Sequence, residues 1–269
     1  MKKVLLINDV AGYGRISYGV MSMVLASKGF HVSSLPTALV SNTLDYGEFE
    51  ILSTEDFMKN TIDVWDKLGF SFDAVATGIT VSDSQAKLMA DYCKKLKRRG
   101  VKIFCDPVMG DDGTLYPGIG EKTVEYLREI VSVADYIVPN YTEAVFLAGE
   151  QWNGEETDNA CACRLCEKLQ AMGAENVVIT SAKVDGKDCT LLKEGKNDVQ
   201  ILPFDKVPVR FVGTGDLFCA LFMSGVLAGD GARQALRKAM DKVRELIIKD
   251  IDNPDKYAGV RIERYFEEL

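Results

Sequence analysis

Short apolar runs of β type alternate with longer stretches of helical period along most of this chain, and that alternation restricts it to a parallel sheet with helices packed on it. Residues 3–8, 31–36, 73–79, 101–105, 135–138 and 176–180 read as strands. The run at 73–79 lacks polar alternation, as a parallel strand covered on both faces does. Helical period marks residues 14–28, about 54–68, 82–99, a short stretch after Pro139-Asn140, 159–172, 216–227, 232 to about 249, and a last turn or two near 261–266. From 188 to 211 short strands are broken by turn residues (Gly195-Lys196-Asn197-Asp198, Pro203, Pro208), which predicts an antiparallel edge. No linker rich in Pro, Gly or Ser, no repeat and no low-complexity tract divides the 269 residues, so a single doubly wound domain over 1–269 is expected.

Composition narrows the function. With 47% hydrophobic and 27% charged residues the chain can bury a sizeable core. Its net charge of −8 and the lack of a dense basic face argue against a nucleic-acid binder. The one basic run, Lys94-Lys95 with Lys97-Arg98-Arg99, ends at Gly100 and reads as the cationic last turn of a helix. No apolar run approaches 18 residues, so no membrane span is expected. The apolar start Val4-Leu5-Leu6-Ile7 breaks at Asn8-Asp9, short of a signal peptide, which places the protein in the cytoplasm. Seven scattered cysteines do not suggest a disulfide scaffold. Cys161, Cys163 and Cys166 have no fourth ligand nearby, so they read as packed thiols rather than a zinc site.

Ligands of such a sheet bind beyond the carboxyl ends of its strands. The residues that follow the strands are Asn8-Asp9-Val10-Ala11-Gly12, Ser41-Asn42-Thr43, Gly78-Ile79-Thr80, Asp106-Pro107-Val108-Met109-Gly110, Asn140 with Glu143, Ser181, and Gly213-Thr214-Gly215-Asp216. Acids, glycines and small polar residues recur at that rim. In Gly213-Thr214-Gly215-Asp216 the glycines let backbone amides turn inward, and the following helix aims its positive end at the same point. Such a nest holds anionic oxygen. Asp216 beside it suits a base that accepts a proton from an attacking hydroxyl, or it merely caps its helix. Asp106 and Glu143 offer carboxylates suited to holding Mg²⁺ through water, or else serve as a cap or surface acid. Gly12-Tyr13-Gly14 is a weak dinucleotide fingerprint, because Ser17 stands where a third glycine belongs. No Walker-type loop occurs, and the single histidine, His31, begins a strand, so a His-dependent hydrolase is not expected.

Taken together, Gly12-Tyr13-Gly14, Thr37-Ala38-Leu39-Val40-Ser41-Asn42 with Tyr46-Gly47, Cys105-Asp106-Pro107-Val108-Met109-Gly110, Pro139-Asn140-Tyr141-Thr142-Glu143 and Gly213-Thr214-Gly215-Asp216 resemble the ribokinase-like superfamily. Within it they resemble the pyridoxal (vitamin B6) kinases, over nearly the full length. The resemblance implies a three-layer α/β/α fold with a mostly parallel central sheet, an antiparallel edge and no large lid. It also implies ATP-dependent phosphorylation of a primary alcohol on a pyridine-like ring. Asp216 would be the base, Gly213, Thr214 and Gly215 the anion hole, and Asp106, Asn140, Glu143 and Ser181 the Mg-ATP environment. Asp9, Gly12, Ser41, Asn42, Thr43 and Ile79 would face the ring. The family is usually dimeric and often responds to K⁺. In this chain Asp9 stands where a serine is common, Thr43 replaces a histidine, Ile79 an aromatic residue and Ser181 a lysine. The vitamer (pyridoxal, pyridoxine or pyridoxamine) therefore stays open, as do hydroxymethylpyrimidine and two readings of other kinds: a nicotinamide-dependent oxidoreductase and a non-catalytic vitamer sensor. The acidic, glycine-bearing stretch 111–120 is the candidate loop for covering substrate, or an inert surface turn.

Overall fold

Four consecutive side chains, Val4, Leu5, Leu6 and Ile7, are wholly buried, each worth about 1.5–3 kcal/mol against exposure. They form β1 (Lys3–Ile7) of a computed structural model that describes residues 1–116, 119–154 and 156–269. Two compact units emerge, one from the two ends of the chain, Met1–Asp73 and Lys206–Leu269, and one from Ala74–Asp205.

In the first unit the chain runs through β1, β2 (Val10–Ala11), α1 (Ser17–Ser27), β3 (His31–Ser34), β4 (Ala38–Val40), β5 (Ile51–Ser53) and α2 (Glu55–Leu68). β1 pairs in parallel with β3, from Lys3 opposite His31 to Leu6 opposite Ser34. The short β2, β4 and β5 make a separate small sheet. α2 carries Glu55 and Asp56 in its first turn and Lys67 in its last, which complements its dipole, and stops at left-handed Gly69.

The second unit holds β6 (Ala74–Thr77), α3 (Asp83–Arg98), β7 (Lys102–Cys105), the hairpin β8 (Gly110–Asp111) and β9 (Thr114–Leu115), α4 (Glu121–Val131), β10 (Tyr136–Ile137), α5 (Tyr141–Leu147), β11 (Glu156–Thr157), α6 (Asn159–Ala171), β12 (Asn176–Val184), β13 (Lys187–Glu194) and β14 (Gln200–Pro203). β6, β7, β10 and β12 are parallel, and β12, β13 and β14 are antiparallel. The mostly parallel α/β fold with an antiparallel edge is thus the observed one. Lys97 of the basic run is an ion-pair member, 2.8 Å from Asp135 and 3.1 Å from Glu175. The chain then returns to the first unit as α7 (Thr214–Ala228) and α8 (Ala232–Lys249). α7 is apolar nearly all round and buried against α1 and α8.

Several features differ from the sequence reading. α4 fills a stretch where no element was expected, although Val124, Leu127, Ile130 and Val131 recur at helical spacing and are buried. The strand expected at 176–180 continues to Val184, because a register shift between Ile179 and Ala182 lets pairing with β13 resume. β2, β4, β5, β8, β9 and β11, of two or three residues each, are too short for periodicity to reveal. Among the described residues no helix is long and apolar enough to cross a membrane.

Candidate active site

In the first unit the site is built at the head of α7. Gly213 is its N-cap at φ +77, and no side chain caps the helix. A Cβ at Gly213 would lie 2.8 Å from Ile16 Cγ2 and 3.2 Å from the Arg15 carbonyl, so both backbone angle and space demand glycine. At Gly215 nothing lies within 4 Å of an added Cβ. The protein's own packing therefore gives no reason for glycine there, whereas close approach of a ligand to the backbone does.

Asp216 stands in the first turn of α7, but its carboxylate turns away from its own helix. Oδ2 accepts from the Ser17 amide at 2.9 Å and Oδ1 from Asn8 Nδ2 at 3.2 Å. Ser17 is the first residue of α1 and sits at φ +47, a strained angle for a side-chain-bearing residue that places its N–H on the acid. Burial, then the nearby Asp9 charge, push the Asp216 carboxyl up to about 6, against the lowering effect of its two donors. It is therefore mostly ionised at neutral pH, as the sequence reading requires of a base. Asp9 is itself buried (5% exposed), and burial raises its carboxyl too. Two carboxylates thus lie close together here, and the Asp9 charge makes Asp216 more basic.

The neighbouring loops are held by their own hydrogen bonds. Gly12 N donates to Val40 O, Tyr13 N to Ser41 O and Arg15 N to Ala258 O. The Gly12 and Tyr13 amides are thus spent within the fold, which counts against the dinucleotide reading of Gly12-Tyr13-Gly14. Ser41 Oγ accepts from Glu50 N at 2.8 Å, Asn42 Nδ2 donates to the Thr43 and Glu48 carbonyls, and Thr43 Oγ1 accepts from Asp45 N at 3.0 Å. Thr43 is buried, so its size and its hydroxyl both shape the turn at residues 43–47.

In the second unit the rim is organised by one carboxylate. Glu143, 3% exposed, accepts from Met109 N at 3.0 Å and, through its other oxygen, from Asn140 N at 2.8 Å. Asn140 closes the capping box by accepting from Glu143 N at 2.9 Å, and its Nδ2 donates to Gly110 O at 2.8 Å. The pair fastens the Asp106–Gly110 segment to α5. Burial raises the Glu143 carboxyl, opposed by these backbone donors. Asp106 is half-buried at the end of β7, its amide donating to Thr77 O. Both acids lie close enough to the buried Cys105 thiol to raise it further, though burial does most. Mg²⁺ binds oxygen donors, keeps several waters and takes one or two carboxylates alongside substrate phosphates. Asp106 and the remaining lone pairs of Glu143 fit such an outer-sphere role.

Ile79 is half-buried beyond β6. Ser181 does not follow its strand as expected. It sits exposed within β12 at φ +55, where the register shift lifts it out of the ladder. The stretch 111–120 begins as a tied hairpin, with Gly113 N donating to Thr142 Oγ1, while its residues 117 and 118 lie outside the described residues. Cys166 is buried, and Cys161 and Cys163 contact Arg164 and Asn159 within their own helix.

The phosphomethylpyrimidine kinase family model matches residues 23–260. The chain belongs to that family. Among curated members of related sequence, pyridoxal kinase of Sus scrofa is 30% identical over 248 residues, which cover 82% of this chain and 74% of that protein. A protein from Bacteroides thetaiotaomicron, described as a phosphomethylpyrimidine kinase, is 30% identical and superimposes with a TM-score of 0.93, covering 100% of this chain and 93% of that one. Its orthorhombic form was solved with pyridoxal and gives a TM-score of 0.89. Pyridoxal kinase of Leishmania donovani in complex with ADP and pyridoxine is 26% identical, with a TM-score of 0.85 and coverage of 99% of this chain and 94% of that one.

Beside the residues predicted for this family site, the structure adds Asn8 and Ser17 as partners of Asp216. Asn8 was adjacent to a predicted residue and so had a weak signal. Ser17 acts through its backbone, which no side-chain pattern reveals.

Proposed function

We propose that the chain, acting as one catalytic domain over residues 1–269, transfers the terminal phosphoryl group of ATP to the primary hydroxyl of a B6 vitamer. The observation that carries this reading is a buried carboxylate at the uncapped head of α7, next to a glycine whose missing side chain leaves open space. Asp216 accepts the hydroxyl proton as the alcohol oxygen bonds to phosphorus and the bond to the ADP oxygen breaks. A carboxyl raised towards working pH is a better acceptor, and with a loose transition state that transfer comes late. The amides of Gly213, Thr214 and Gly215 stabilise charge on the transferred group. Asp9, Gly12, Ser41, Asn42, Thr43 and Ile79 serve the ring, with Asp9 toward a ring nitrogen or amine. Asp106, Asn140, Glu143 and Ser181 serve the nucleotide. Mg²⁺, when bound, neutralises phosphate charge, with Asp106 and Glu143 ordering its waters. K⁺ as an activator and a cytoplasmic site of action belong to the same reading.

A homodimer is also proposed. Leu39 and Leu52 are cross-strand partners on the small sheet, yet they are 46% and 60% exposed. On α2, Phe57, Val64 and Leu68 share one exposed face, opposite buried Met58 and Ile62. A second copy covering these apolar faces would account for their exposure.

The second reading, hydroxymethylpyrimidine as acceptor, is favoured by the family whose model matches. A coupled ADP-release assay with pyridoxal, pyridoxine, pyridoxamine and hydroxymethylpyrimidine decides between them. ADP release with a vitamer at lower KM than with the pyrimidine is expected. Turnover with the pyrimidine alone would overturn the vitamer reading, and ATP binding without ADP release would mark a sensor.

A further inference from the structure

Tyr13 and Tyr46 flank two of the positions assigned above to the ring, Gly12 and Thr43, and both phenols reach one acid. Tyr46 Oη donates to Asp255 at 2.6 Å, and Tyr13 Oη donates to Asp255 Oδ2 at 3.0 Å. The two rings meet edge to face at 5.9 Å, and Tyr257 stands against Tyr46 in the same way at 5.4 Å. The loop that carries Asp255 is itself anchored. Buried Asn253 donates to the Gly259 carbonyl at 3.1 Å and to Asp250 at 3.2 Å, while Asp250 accepts from Arg261 Nε at 2.7 Å. Ala258 N donates back to Asp255 Oδ1 at 3.2 Å. The same loop meets the segment leading into the nest through Val212 N to Lys256 O at 3.1 Å and through Lys256 Nζ, 4.9 Å from the centre of the Phe211 ring, with no part played by Asp255. The Tyr46 contact is the main influence holding the Asp255 carboxyl below its usual range.

We propose that Asp255 is a positioning residue for the acceptor ring, its carboxylate clamping the Tyr13 turn to the Tyr46 turn so that both keep the spacing the ring requires. The inference rests on the kinase reading and on the ring contacts assigned in it. Its signature is selective: beyond its own loop, where it accepts from Ala258 N, the carboxylate reaches only the two ring-side turns, whereas the Val212–Lys256 link is made by backbone atoms that a substitution of Asp255 does not remove. A ligand that must assemble its own site binds less tightly by the fraction of molecules already assembled.

The test measures kcat and both KM values by ADP release with pyridoxal, for wild type, Asp255→Ala, Asp255→Asn and Tyr46→Phe. Asp255→Ala is expected to raise the pyridoxal KM roughly tenfold, with kcat and the ATP KM within about twofold of wild type. Asp255→Asn keeps one acceptor oxygen and should recover part of the loss, and Tyr46→Phe should give a smaller rise in the same parameter. An unchanged pyridoxal KM in Asp255→Ala overturns the clamp, and so does a joint shift of kcat and both KM values, which marks general loosening. If Asp255→Ala does not fold, the double variant Tyr13→Phe with Tyr46→Phe carries the same expectation and the same refutation. Wild-type protein that releases no ADP with pyridoxal refutes the kinase reading itself, and the clamp's role falls with it.

Discussion

Two helices of this protein begin at rim loops, and each carries an acid at the third position of its first turn. They use it in opposite ways. In α5 that acid is Glu143, which reaches back to its own N-cap amide and also takes the amide of Met109. Of the orphan donors that every helix start presents, the Glu143 amide is taken by Asn140, and the N-cap amide by Glu143. In α7 it is Asp216, one methylene shorter, behind a glycine N-cap that offers no side chain. Its carboxylate goes to α1's first amide and to Asn8, and no side chain caps the head of its own helix. A capped helix start fastens a loop, and an uncapped one beside a misdirected acid is equipped for chemistry at a cost in stability.

Substitutions at these two positions can break that contrast. The largest effect is expected for Asp216→Asn, which should lower kcat by roughly 10²–10⁴-fold with nucleotide affinity nearly unchanged, read by steady-state kinetics and equilibrium dialysis. The same variant should stabilise the fold. Because the folded carboxyl titrates at about 6 and the unfolded one near 4, wild type loses stability as pH rises through that window. Urea unfolding should therefore show an advantage for Asp216→Asn on the order of 1–3 kcal/mol above pH 6 that vanishes below pH 4. A wild type more stable than the variant at pH 7 would refute the strained-base picture.

Next in size, Glu143→Ala should destabilise by about 2–4 kcal/mol, since it leaves the buried Met109 amide and the half-buried Asn140 amide unpaired. A loss under about 0.5 kcal/mol in urea would mean that the cap is not structural. Smaller effects separate the two nest glycines. Gly213→Ala should cost about 1–3 kcal/mol through strain and the Ile16 contact. Gly215→Ala should leave stability equal or raised by up to about 1 kcal/mol while increasing the ATP KM. Equal thermal shifts for both variants would contradict the open space at residue 215. The smallest effect sharpens the pocket's electrostatics. Asp9→Asn removes the charge that helps raise Asp216, so the acid limb of kcat/KM should move down from about pH 6. A limb that stays in place would assign the whole shift to burial. Asp9→Ser would test the ring contact separately, by its effect on pyridoxal and pyridoxamine KM.

Much of this was legible in the residues. The buried strands announced themselves as apolar runs, and the rim acids followed from which residues come after each strand. α4 was also legible in principle, because its apolar spacing is regular, but it starts at Gly120 with no side-chain cap to mark where a helix begins. The small sheet was not, since strands of two or three residues carry no period. Ser181 was misplaced because a register shift depends on the partner strand rather than on local sequence. Glu143 illustrates a subtler gap. The spacing Asn140-x-x-Glu143 is also a capping box, and only the hydrogen bonds reveal that both carboxylate oxygens serve backbone amides.

The alternation of the longer strands and most helices, the apolar core strands and the identity of the rim acids were decided by sequence alone, because hydrophobic period and turn chemistry are local properties. What the tertiary structure decided is which groups face one another. That Asp216 looks to Ser17 and Asn8, that Asp9 crowds it, and that Asp255 gathers two tyrosines from turns more than 200 residues away along the chain all depend on long-range packing. The titration of a buried acid is set by such neighbours and by the water they exclude, and neither is written in the residues adjacent to it.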